Sequence, residues 1–116
     1  MLDRTVVLVG RNGFGTTAPD DRAFGTEMLE KFLHTLEGRD DKPAAICFFT
    51  EGVRVATTDG PALYSLQVLE QLGVRLVACG TCLDHYELRD QLQAGEAGTM
   101  SEIVDLIAGA DKVITI

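Results

Sequence analysis

Two of the three cysteines stand three apart in Cys79-Gly80-Thr81-Cys82, after the apolar run Val74 to Cys79 and before a stretch with helical spacing. A thiol at a strand-to-helix turn meets the amide-rich, partly positive start of a helix, which favours thiolate over thiol. Asp84 and Glu87 pull the other way, because nearby negative charge raises a thiol pKa. A nucleophilic carrier needs one accessible thiolate, supplied by Cys79 or Cys82 with the other assisting. A thioredoxin-like dithiol needs a cis-proline from later in the chain, yet Pro19, Pro43 and Pro61 all precede Cys79. A reversible Cys79–Cys82 disulfide stays open. Zinc needs further ligands, and only Cys47, His34 and His85 are on offer besides carboxylates, with no second paired motif, so no metal is expected. The bland alternative is that Cys79 is a small buried hydrophobe finishing a strand, as Cys47 is expected to be inside the second strand.

Other candidates are weaker. His85 follows Cys82 by one turn, where it either assists a thiolate or faces solvent, and Tyr86 is equally open. His34, beside Leu33, reads as a boundary residue of an amphipathic helix. The run Gly10-Arg11-Asn12-Gly13-Phe14-Gly15 resembles a phosphate loop in composition only. Its glycine spacing is not the dinucleotide pattern and no lysine follows, so ordinary turn formation accounts for it. Arg11 and Arg54 lie in loops that flank the thiols, as cations for an anionic ligand.

The elements that must position these residues alternate strand and helix. Thr5 to Val9 is a continuous apolar run, the mark of a strand buried on both faces. Gly10 to Asp21 is a loop, and from Phe24 a helix turns Met28, Leu29, Phe32, Leu33 and Leu36 inward until Gly38. Ala44 to Thr50 is the second strand and Glu51 to Asp59 a loop. Asp59 and Pro61 open a helix carrying Leu63, Leu66, Leu69 and Leu72, stopped by Gly73. Val74 to Cys79 is the third strand. Thr81 and Asp84 form a weak capping box for a helix from Cys82 to about Gln93. Gly95 to Gly98 is a short strand or a loop, Ser101 caps a helix with Ile103, Val104 and Ile107 inward, and Lys112 to Ile116 is a β-branched strand.

This alternation predicts a three-layer α/β/α fold, a mostly parallel sheet of about five strands within a single domain spanning 1–116. Every strand-to-helix loop then emerges at the carboxyl edge, where open α/β folds place ligands, so the loops should gather around one site with Cys79 at its floor. With 18 acidic against 10 basic residues the net charge is −8, which disfavours nucleic acid and anionic membranes as partners. The apolar run near Met1 is too short for a signal core or spanning segment, and three unpaired-looking cysteines fit reduced thiols. A cytoplasmic protein is expected.

Cys79-Gly80-Thr81-Cys82-Leu83 after a Gly-Val-x-Leu strand, Gly52-Val53 after the second strand, Thr99-Met100 before the last helix and the ending Ala110-Asp111-Lys112-Val113-Ile114 resemble the DsrE/DsrF-like family. Within it the pattern is most similar to the YedF-like group, linked by name to selenium metabolism. The resemblance covers nearly the whole chain. It implies a small α/β domain in a homo-oligomer, relaying sulfur as a cysteine persulfide without a bound cofactor. It also implies that Cys79, at the end of the third strand, bears the persulfide, with a sulfur-carrier protein or persulfide donor as partner. Cys82 then assists, and Arg11, Gly52, Val53, Arg54, Thr81, His85, Thr99 and Met100 are the expected surroundings of the substrate. The competing expectation is a non-catalytic assembly or small-ligand-binding module whose CxxC is structural.

Overall fold

The computed structural model describes residues 1–116. The apolar runs form the strands β1 Thr5–Val9, β2 Ala45–Phe48 and β3 Arg75–Cys79, joined by β4 Glu96–Gly98 and β5 Lys112–Thr115. All pair in parallel, in the order β4-β3-β2-β1-β5. Every residue of β2 is buried, as a strand covered on both faces requires.

The helices are α1 Arg22–Glu37, α2 Pro61–Gln71, α3 Gly80–His85 and α4 Met100–Gly109. From β1 to β4 the chain steps across the sheet in one direction, so right-handed crossovers place α1, α2 and α3 on one face. The return from β4 to β5 carries α4 over the other. Side-chain alternation follows: Val7, Val9, Ile46, Phe48, Leu76 and Ala78 join Leu29, Leu33, Leu66 and Leu69 in one cluster. Val6, Ala45, Cys47, Val77 and Cys79 meet Ile103 of α4 in a second.

Four local expectations are corrected. The third helix ends at His85 rather than near Gln93, because Glu87 adopts a positive φ of 57° and Leu88 N–H closes back on Leu83 O at 2.8 Å. A 3-10 turn, Arg89–Gln91, follows. Thr81 and Asp84 form no capping box; the Asp84 carboxylate instead accepts two hydrogen bonds from Arg89, at 2.7 and 3.1 Å. The cap of α4 is Thr99, not Ser101: Thr99 Oγ1 accepts from Glu102 N–H at 3.2 Å while Glu102 Oε1 accepts from Thr99 N–H at 3.3 Å. Leu72 and Val104, expected inward, are half exposed, since Leu72 caps the end of α2 and Ile103, Leu106, Ile107 and Ala110 supply the buried stripe of α4.

The segment after β2 is also more than a loop. Thr50–Ala56 is a 3-10 helix that buries Val53, Val55 and Ala56. It presses so closely on the end of β1 that a Cβ at Gly52 would lie 2.0 Å from Val9 O. Glycine is required there by contact, not by turn geometry.

Candidate functional site

Cys79 ends β3 with its side chain on the α4 face, only 3% exposed. Cys82 sits three residues on in α3, half-buried and packed against both apolar clusters. Its Sγ accepts a hydrogen bond from Thr50 N–H at 3.0 Å. Thr50 adopts a positive φ of 47°, an uncommon conformation for a β-branched residue. Its hydroxyl donates to Gly10 O at 2.8 Å, which helps hold that turn. Backbone strain of this kind is kept only where surrounding contacts fix it. Here it belongs to the residue whose N–H meets the sulfur.

The electrostatics at Cys82 differ from the expectation for a thiol at a helix start. Burial pushes its pKa up and the neighbouring Cys79 thiol adds to the rise, while the Thr50 N–H opposes both. A helix of only six residues carries little macrodipole, and desolvation of the thiolate prevails. Cys47, fully buried in β2, is pushed up to about 11 by burial, against a small opposing pull from Arg75.

The carboxyl-edge loops divide between two hollows. The larger, about 520 Å³, lies among the loop after β1, the first turns of α1 and the Thr50–Ala56 segment, and takes in Arg11 and Arg54. The smaller, about 290 Å³, lies between α3 and the start of α4 and takes in Thr81, Thr99 and Met100 beside the Asp84–Arg89 pair. Gly52 and Val53 are buried and line neither. His85 is exposed, packs edge-on against Tyr86 at 4.8 Å and forms no hydrogen bond with either thiol. The Arg54 guanidinium lies 4.6 Å above the Tyr86 ring, tying the Thr50–Ala56 segment to the end of α3. Nowhere do three histidine, cysteine or carboxylate side chains converge as a metal site would need.

Sequence reasoning missed Thr50, Arg22 and the Asp84–Arg89 pair. A left-handed threonine leaves no mark in composition or periodicity. Arg89 sits where a continuous helix was expected, so its return to Asp84 was hidden.

Residues 5–116 match the profile of the DsrE/DsrF-like family. The chain belongs to this family. The DsrE/DsrF-like family is associated with sulfur relay, and its fold is evident in three solved structures. The ychN protein from E. coli superposes with a TM-score of 0.69 at 18% identity, covering 98% of this chain and 99% of that one. BT1422 from Bacteroides thetaiotaomicron, a conserved protein of unknown function, gives 0.66 at 15% identity over 97% and 95%. MTH1491 from Methanobacterium thermoautotrophicum, also of unknown function, gives 0.65 at 19% over 97% and 98%. At such identities the likeness speaks for the fold alone. No curated protein sequence matches the chain. No helix is long and apolar enough to cross a membrane.

Proposed function

We propose that this protein relays sulfane sulfur through the Cys79/Cys82 pair, with Cys79 bearing the persulfide and Cys82 exchanging sulfur with outside partners. The observation that carries the reading is the Thr50 N–H bond to Cys82 Sγ, made from a strained turn beside a nearly buried Cys79. Cys82 thiolate attacks the outer sulfur of a donor R–S–SH, forming Cys82–S–SH and expelling R–S⁻. Cys79 then takes the outer sulfur the same way, its proton passing to the released Cys82. Reversal of the two steps delivers the sulfur to an acceptor thiolate. The raised thiol pKa at Cys82 lowers its thiolate fraction but makes the thiolate that forms more nucleophilic, and the Thr50 N–H steadies it.

Burial of Cys79 keeps its persulfide from stray thiols and oxidants. The signature Cys79-Gly80-Thr81-Cys82-Leu83 with Ala110-Asp111-Lys112-Val113-Ile114 supports a YedF-like member of the family, acting in a reducing cytoplasm with a sulfur-carrier protein or persulfide donor. The thinly covered α4 side, where Met100, Val104 and Val113 are exposed, supports a homo-oligomer, which light scattering tests. Incubation with a cysteine desulfurase and cysteine, followed by intact-mass measurement, should add one sulfur to the wild type and none that persists on Cys79→Ser. No gain on the wild type sinks the reading, and equal retention on Cys79→Ser removes Cys79 as the carrier.

A further inference from the structure

The larger hollow has a character of its own. No apolar side chain lines it, and three of the chain's ten basic residues, Arg11, Arg22 and Arg54, face a single carboxylate, Glu51. In a chain of net charge −8 that is a local reversal of sign. Arg4, Arg39, Arg75 and Arg89 each pair with carboxylates elsewhere. Glu51 lies 3.9 Å from Arg54, and neither Arg11 nor Arg22 forms an ion pair. Two guanidiniums without carboxylates, Arg11 and Arg22, on one cavity are matched by planar contacts to oxyanions, with Arg54 held beside them by Glu51 and the Tyr86 ring.

The loop that carries Arg11 is fixed before any ligand arrives. Arg11 Nη1 donates to Gly15 O at 3.2 Å and to Thr16 Oγ1, leaving its Nε and Nη2 hydrogens uncommitted. Phe14 N–H donates to Gly25 O at 3.0 Å and Thr26 Oγ1 donates to Asn12 O at 3.0 Å, pinning the loop to α1. Gly13 lies so close to α1 that a Cβ there would come within 3.2 Å of Gly25 backbone. The Phe14 ring packs on Phe32 at 5.1 Å as an anchor below. Ordering costs on binding are correspondingly small.

From this we infer that the hollow is a binding site for a tetrahedral dianion of phosphate or sulfate type, free or as the terminal group of a compact polar molecule. The lack of apolar lining excludes a stacked base or an acyl chain as the main anchor. The site stands on its own geometry and is independent of the sulfur reading, although Thr50 touches both: its hydroxyl reaches Gly10 on the hollow's wall and its N–H reaches Cys82.

Calorimetric titration of the full chain in low-salt buffer with sodium sulfate, potassium phosphate and ribose 5-phosphate tests this. Saturable binding of at least one is expected, weakened about 10- to 100-fold in Arg11→Gln/Arg22→Gln. Lys112→Gln, which removes one positive charge elsewhere and so matches Arg22→Gln, should change it by less than about twofold. Arg22→Gln alone, whose native side chain makes no hydrogen bond, keeps the test valid if loss of Arg11 disturbs the loop, and unchanged binding in it overturns the site. Tighter binding of ribose 5-phosphate than of phosphate assigns the ester form, and the reverse assigns the free ion. No saturable binding at about 10 mM of any of the three, or an equal loss in Lys112→Gln, overturns the proposal. Cys79→Ser/Cys82→Ser should bind like the wild type, so this outcome is read separately from sulfur transfer.

Discussion

The face of the sheet under α1 and α2 buries a cluster of eighteen residues, whereas the face under α4 buries six. The deep face is aliphatic apart from Phe48 and contains no thiol among its fully covered residues. The shallow face contains Cys47 and Cys79, under a single helix of ten residues. The difference teaches a division: one face supplies most of the cohesion, and the other buries two of the three thiols under thin cover. Cys82, at the sheet's carboxyl edge, packs partly against both and links them.

The comparison breaks first if the deep face is not the stronger. Leu66→Ala, at a fully buried α2 position, should cost about 3–5 kcal/mol, while Ile103→Ala under α4 should cost about 2 kcal/mol because the thin cover relaxes into the space. Denaturant unfolding measures both, and an equal or larger loss at Ile103 contradicts the division. Gly52→Ala drives a methyl group into the Val9 carbonyl and should cost about 1–3 kcal/mol, with Cys82 reactivity altered as Thr50 shifts. Thr99→Ala removes the cap of α4 and should cost about 1 kcal/mol, a change that thermal melting resolves.

A subtler effect is in pH. The Cys82 thiol is held above its ordinary range, so its thiolate appears later as pH rises. Iodoacetamide labelling of Cys82 should therefore keep climbing beyond about pH 8.5, the usual thiol midpoint. A plateau below pH 8 would contradict the burial-dominated picture. Cys47, pushed up to about 11 and fully buried, should label more slowly throughout.

Much of the deep face was legible because its signals are repetitive. Continuous apolar runs marked β1, β2 and β3, and the three- and four-residue spacing of Leu29, Leu33, Leu36 and of Leu63, Leu66, Leu69 marked α1 and α2. The edge of the site was less legible. Leu83, Leu88 and Leu92 imitate a helical stripe, yet the chain turns at Glu87 with no glycine to announce it, and all three still reach the core. Thr99-Met100-Ser101-Glu102 does carry the capping-box spacing in its sequence, so that boundary is legible. Thr50 was not, because its backbone conformation is imposed by contacts with Gly10 and Cys82. The carboxyl-edge loops were expected to gather around one site with Cys79 at its floor; they divide instead into a cationic hollow and a second one beside α3, neither lined by Cys79 or Cys82, and that division depends on side-chain pairings such as Asp84–Arg89.

The proposed residence of sulfur on the Cys79/Cys82 pair can be mapped to the residue. Tryptic cleavage after Arg75 and Arg89 isolates both thiols in one peptide, away from Cys47. After loading with a desulfurase and trapping with an alkylating agent, tandem mass spectrometry of that peptide should find the extra sulfur on Cys79, and the Cys47 peptide should carry none. Sulfur on Cys47, or the same low occupancy on all three cysteines, would contradict the account.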